Sequence, residues 1–331
     1  LGYRNTSGEV NAKTFAISSG STDPIDDRLT NLNYNFKELY LHQDITRTFG
    51  KLTFRGAVNL SGIKLSYDNL AVSTDEKFGN LIAQPRLSLD YKISSRGNLN
   101  VNVVHSQELP APTQLVSVPY SSDHQTLVTG LDTLHLQRSI NLVIRYRYTN
   151  SFRQLIYFLS VQRTSIPNGL QRSLGVSSLF TEQRLTAGFP SNSVQLHGGV
   201  SKFVRLLNGN LDLDTRLMQF NNQLEVNEEL EVNRYQIIAA KLNLRSTLKE
   251  WLKMSLSIGY QQSENISQGN VERPENTEYT YNYGGGLTAT IKPKTMISLK
   301  GDGYTWEQSN QRTHTFLATF ETSHTFASGF K

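Results

Sequence analysis

The chain has no cysteine among its 331 residues. That absence removes disulfide frameworks, thiolate metal sites and cysteine nucleophiles together, and it leaves the compartment open. Long apolar runs are missing as well. The longest are pieces such as Leu142 to Ile144 and Ile237 to Ala240, far short of the roughly 20 apolar residues with which a helix crosses a bilayer. A helical membrane protein is thereby excluded. A β-barrel is not, because its inward-facing residues dilute the apolar ones to an average typical of soluble chains. No signal peptide is visible and the first residue is Leu1 rather than Met, so the chain is expected to be part of a longer one.

Charge of one sign is also scarce. Lys plus Arg number 33 against 28 Asp plus Glu, a net charge of only +5. The cations are scattered rather than gathered in a basic stripe with interleaved aromatics, so no nucleic-acid partner is expected. The histidines are His42, His105, His124, His135, His197, His314 and His324, with no HExxH and no closely spaced ligand pair. His314 and His324 share strand parity, but ten residues of strand separate them by roughly 33 Å. No metal site and no cofactor are expected. The stretch "NGNLDLD", Asn208 to Asp214, resembles a calcium loop but lacks the central glycine and final glutamate. It reads better as a turn followed by a strand. "GGG" (Gly284 to Gly286) and "GDG" (Gly301 to Gly303) have no lysine-serine tail and are expected to relieve curvature in a sheet. No GxSxG and no recognisable Ser/His/Asp order occur, so no catalytic residue is assigned and an enzyme is not expected.

Two-residue alternation is what the sequence has in abundance. In "INLVIRYRYT", Ile140, Leu142, Ile144, Tyr146 and Tyr148 fall on one strand face, and Asn141, Val143, Arg145, Arg147 and Thr149 on the other. The pattern recurs at Leu87 to Ile93, Asn98 to Val103, Leu252 to Gln261 and Tyr279 to Ile291. An all-β chain follows. Only Asn221 to Tyr235 offers a short helix, and it is read as loop. Several strands look ten residues long or more, whereas strands of soluble proteins centre on about five or six.

Connection lengths decide between a protein core and lipid behind the apolar faces. Short connections at "TFGK", "SSRG", "NSFR", "NGN", "LKEW" and "KPKT" alternate with long polar stretches at Asp68 to Asn80, Ser106 to Gln137, Thr164 to Ser193, Gln219 to Asn233 and Gln262 to Glu278. A β-sandwich mixes long and short loops at both ends. An outer-membrane barrel has tight periplasmic turns and long extracellular loops. The expected fold is therefore an antiparallel transmembrane β-barrel of about 14 visible strands, with a possible extra hairpin in Thr164 to Ser193. Tyr91, Tyr146, Tyr148, Phe152, Phe203 and Trp251 lie near short connections. Tyr34, Phe36, Tyr67, Tyr260, Tyr279, Tyr281 and Tyr304 lie toward long ones, as two interfacial girdles would. "HTFLATFETSHTF", with Phe316, Phe320 and Phe326 on one face, is expected to be the last strand.

The segments "NYNFKELYLHQDITRTFGKLTFRGAVNLSG" (Asn33 to Gly62) and "LIAQPRLSLDYKISSRGNLNVNVVHSQELPAPTQL" (Leu81 to Leu115) resemble paired strands of TonB-dependent outer-membrane receptors. The resemblance covers about Thr30 to Leu115. It implies that residues 1–331 are a single domain, the barrel portion of a 22-stranded-type receptor in the outer membrane of a Gram-negative-type cell. It further implies a plug domain supplied elsewhere, a TonB-type energy-coupling protein and a scarce nutrient bound by the long loops. The alternatives are a non-transporting barrel for adhesion or assembly and a soluble β-sandwich binding protein. Outer-membrane lipid is the expected surrounding partner. Arginines facing lipid near the midplane would cost roughly 2 to 4 kcal/mol each, so Arg145 and Arg147, with Asp212, Asp214 and Arg216, are expected to face the lumen.

Overall fold

The structure is a computed structural model, and it describes residues 2–12, 15–18, 21–24, 30–69, 74–115, 120–123, 126–131, 135–176, 181–268, 276–291, 295–309 and 311–325. The side chains of Tyr34 and Tyr67, together with Phe326 and the Lys292 to Lys294 part of "KPKT", lie outside what is described. Eighteen strands occur in chain order among those residues. They begin with β1 (Gly2–Ala12), a small hairpin of β2 (Phe15–Ser18) and β3 (Ser21–Pro24), β4 (Thr30–Phe49), β5 (Leu52–Asn69), β6 (Thr74–Lys92) and β7 (Gly97–Glu108). Next come β8 (Tyr120–Asp123), β9 (Thr126–Thr129), β10 (Gln137–Asn150), β11 (Leu155–Val176) and β12 (Thr181–Val204). The series ends with β13 (Gly209–Val226), β14 (Glu229–Lys249), β15 (Leu252–Gln268), β16 (Asn276–Thr290), β17 (Thr295–Gln308) and β18 (Gln311–His324).

Fourteen of these, all but β2, β3, β8 and β9, form one antiparallel meander in the order β1, β4 to β7, then β10 to β18. Each pairs with its sequence neighbour, as tight turns and long hairpins dictate. Among the described residues β1 and β18 do not pair with each other, so the described sheet is open.

The register sorts side chains by face. Ile144 stands opposite Val101 and Val161, Val161 opposite Leu196, Leu196 opposite Leu217, and Leu217 opposite Ile238. A second apolar row runs Val200, Leu213, Leu242, Ile258, Tyr283. These side chains are not buried against protein: Ile258 is 64% exposed and Leu39 54%, while among the described residues the buried apolar set is Ile63, Ile82, Leu115, Leu131 and Val143. A soluble monomer does not present a continuous apolar face of this extent. The apolar face therefore meets acyl chains, and the chain is a β-sheet protein of the outer membrane. Tyrosines end the belt on the same face, with Tyr148 stacked on Tyr157 at 4.7 Å near the turns and Tyr260 beside Tyr281 at 5.4 Å toward the other end.

The strands run beyond what a crossing needs. A tilted strand spans a bilayer in about 9 to 11 residues, whereas β12 has 24 and β14 has 21. The surplus lies at the end away from the tight turns, and it corrects the reading of Asn221 to Tyr235 as loop. That segment belongs to β13 and β14, which turn at Asn227 and Glu228, both in the left-handed region (φ 50° and 68°) as a two-residue hairpin turn requires. Thr164 to Ser193 likewise adds no extra strands: β11 and β12 simply continue, with irregular register around Gly169 and Gly188 taking φ +99°. Above that break the hairpin changes partners. Leu174 pairs in parallel with Val226, and Thr181 to Arg184 pair in parallel with β9.

Candidate functional site

The other face of the sheet carries the polar chemistry. Arg145 stands opposite Ser160, Ser160 opposite His197, and His197 opposite Arg216. Arg147 leads through Phe158 and Gly199 to Asp214, and Asp212 is opposite Ser201. All five residues expected to face a lumen thus share one face, opposite the apolar belt. They do not converge on one point. Asp214 and Arg216 line a hollow, Asp212 accepts a 2.5 Å bond from Ser201 Oγ, and Arg145 and Arg147 are exposed on β10, with β11 and β12 between them and β13.

The hollow measures about 680 Å³ and spans β13 to β18. Asp214, Arg216, Lys241, Asp302 and Tyr304 supply charge and a phenol, while Ser257, Gln261 and Asn282 supply neutral donors and acceptors. Asp214 and Lys241 are cross-strand partners. Glycine shapes the space. Gly259 and Gly284 have no side chain to fill it, and Asp302 leans across Gly284 so closely that a Cβ there would lie 2.6 Å from Oδ1. On the opposite face glycine does a different job: Tyr283 covers Gly303 and Phe316 covers Gly301, so bulky rings sit over positions that lack a side chain. The two glycine motifs therefore alternate between making room on the polar face and receiving rings on the apolar one.

At the edge of the hollow His197 Nε2 donates to Asp214 Oδ2 at 2.9 Å, and the Phe158 ring packs edge-on against the imidazole at 5.0 Å. Sequence reasoning set the histidines aside as dispersed and passed over Lys241 and Asp302. The signal was the "NGN" turn, since counting outward from it places residues 197 and 216 opposite each other and brings Asp214 into reach. On the other arm of the sheet a smaller hollow of about 350 Å³ lies among Asp44, Arg55, Arg86, Ser88 and Asn100. Asn100 Nδ2 donates to Asp90 there at 2.7 Å.

No protein-family model matches the chain, and no curated protein matches it. Among solved structures it is similar to LpxR from Salmonella typhimurium, with 10% identity over 73% of this chain and 88% of that one and a TM-score of 0.25. It is also similar to outer-membrane expressed OmpT of Vibrio cholerae, with 9% identity over 89% and 98% and a TM-score of 0.27. In-vitro folded OmpT, described as an outer membrane protein of the same organism, gives 9% over 88% and 95% with a TM-score of 0.25. Likeness at this level transfers no residue roles. The resemblance to TonB-dependent receptors is corrected: no family model matches the chain, and the solved structures it is similar to are LpxR and OmpT. Its motif has a simpler cause: "TFGKL" is a two-residue hairpin turn in which Gly50 takes φ +57°, a demand of any tight β-turn. The exclusion of enzymes is corrected with it. It rested on the absence of GxSxG and of a Ser/His/Asp order along the chain, whereas His197 meets Asp214 through register rather than through order.

Proposed function

We propose that the sheet closes in the outer membrane into a barrel whose polar face lines a water-filled interior, giving small hydrophilic solutes a path across the bilayer. The single observation that carries this is the sorting of faces. From β13 to β18 the polar face gathers Asp214, Arg216, Lys241, Ser257, Asn282 and Asp302 around an open hollow, with Ile237, Ala239 and Leu317 completing its wall, while the apolar rows lie together on the other side. Closure follows from solvent, since an unpaired strand edge in hydrocarbon leaves backbone groups without partners at several kcal/mol each. The tight turns face the periplasm and the long hairpins the exterior, as in other barrels of this membrane. The refolded chain, inserted in planar bilayers in potassium chloride, should show stepwise conductance. Protein that inserts, by its heat-dependent gel shift, yet passes no current would sink the reading.

A second reading rests on a specific contact. Ser160 stands directly opposite His197, whose imidazole is held by Asp214. A hydroxyl, an imidazole and a carboxylate in that succession are the parts of a hydrolytic triad. Turnover of a p-nitrophenyl ester, abolished in both Ser160→Ala and His197→Ala, would support it; equal rates in parent and variants dismiss it.

A further inference from the structure

We infer that the tight-turn end of the sheet is a binding rim for anionic phospholipid headgroups, an assignment that rests on the reading of these turns as the periplasmic end. The two ends differ in sign. The tight turns carry Lys51, Arg96, Arg153 and Arg205, with Lys292 and Lys294 in the sequence of the remaining one, and their one acid is Glu250. In the sequence between the strands at the opposite end stand Asp26, Asp27, Asp132, Glu228, Glu272 and Glu275 against Lys13, Arg28 and Arg273.

Depth is fixed independently of charge. Arg47 and Lys202 point to the apolar face: Arg47 is opposite Phe54, and Lys202 lies between Leu155 and Leu211. A cation on that face is tolerated where its stem runs along apolar surface and its head reaches the phosphates. Both residues are within a few positions of a tight turn. The turns themselves end in apolar tips, with Phe152 89% exposed and Leu206 94% exposed. Such tips belong in the interfacial layer rather than in bulk water. Cations accompany them at that level, Arg96 Cζ lying 5.9 Å from the Phe152 ring centre and Lys249 Nζ 5.9 Å from that of Trp251. Guanidinium and ammonium groups are thereby held at the height of lipid phosphates, which they bind by charge-assisted hydrogen bonds. The acidic end would repel the same headgroups, so the ligand is the phospholipid of the leaflet facing the turns.

The test reconstitutes the full chain in vesicles of phosphatidylcholine alone, with phosphatidylglycerol, or with lipid A. Lipid retained on the purified protein is then quantified by mass spectrometry. Phosphatidylglycerol should be enriched over its bulk share. Each cation near a charged surface is worth about a five-fold factor, so the combined variant Arg96→Gln, Arg153→Gln, Lys249→Gln should lose at least about ten-fold of that enrichment. Lys64→Gln, near the opposite end, should change it little. Equal enrichment in parent and triple variant, or enrichment of lipid A alone, overturns the inference. Protein that inserts and conducts without any headgroup preference refutes the rim and leaves the barrel standing, whereas failure to insert in every vesicle refutes the barrel reading itself.

Discussion

Gly284 and Gly303 show how much a single hydrogen atom decides in this wall. Asp302 lies over Gly284 on the polar face, where an added Cβ would approach its Oδ1 to 2.6 Å. Asp302 is exposed and can swing aside, so Gly284→Ala should fold normally while displacing a carboxylate and narrowing the hollow. The expected result is an unchanged gel shift with altered single-channel conductance. Gly303 is different. It is buried, and Tyr283 lies on it with ring carbons where a Cβ would go. Gly303→Leu has to push that ring off the strand, and overpacking of this kind costs about 1 to 3 kcal/mol. The temperature at which the folded band disappears on a detergent gel should fall accordingly, and no change would mean that the ring is not seated there. Neither role was legible from the motifs themselves. "GGG" and "GDG" announce that side chains are missing, but only the pairing of β16 with β17 says which ring or carboxylate occupies the space.

The long hairpin of β13 and β14 shows what limits the reading of an element. Leu224, Val226, Leu230 and Val232 alternate correctly for strands, yet the turn between them is Asn227 and Glu228, without the glycine that normally marks a two-residue hairpin. The local signal favoured loop, and the register extending upward from the membrane overrode it. Glu228 sits at φ 68°, a conformation in which a side chain is strained. Glu228→Gly should therefore relieve strain and stabilise the hairpin by about 0.5 to 1 kcal/mol, since glycine adopts this region without a Cβ clash. Amide exchange at the upper ends of β13 and β14 should slow in the variant, and faster exchange would show that the turn is not set by backbone geometry. Where the turn carried its glycine, as at Gly50, both the turn and the strands it joins were evident from sequence.

At the scale of the whole molecule, alternation of side chains and alternation of loop lengths were enough to expect about fourteen antiparallel strands in an outer membrane. They were not enough for the polar site, because His197 and Asp214 belong to different strands and meet only once the β12 to β13 register is fixed. Which face meets lipid is the claim on which the rest depends, and neighbouring residues of one strand test it directly. Ile258 lies in the middle of the apolar belt, opposite Leu242 and Tyr283, while Ser257 points the other way and donates a 2.9 Å bond to Asn243. A cation placed in hydrocarbon near the midplane costs about 2 to 4 kcal/mol. In water beside polar groups a surface substitution stays within about 0.5 kcal/mol. Ile258→Lys should therefore lower the unfolding temperature and the folded yield in bilayers sharply, and Ser257→Lys should leave both near the parent while shifting ion selectivity toward anions. Were the faces reversed, the sensitivity of the two positions would be reversed as well, because strand neighbours always face opposite sides.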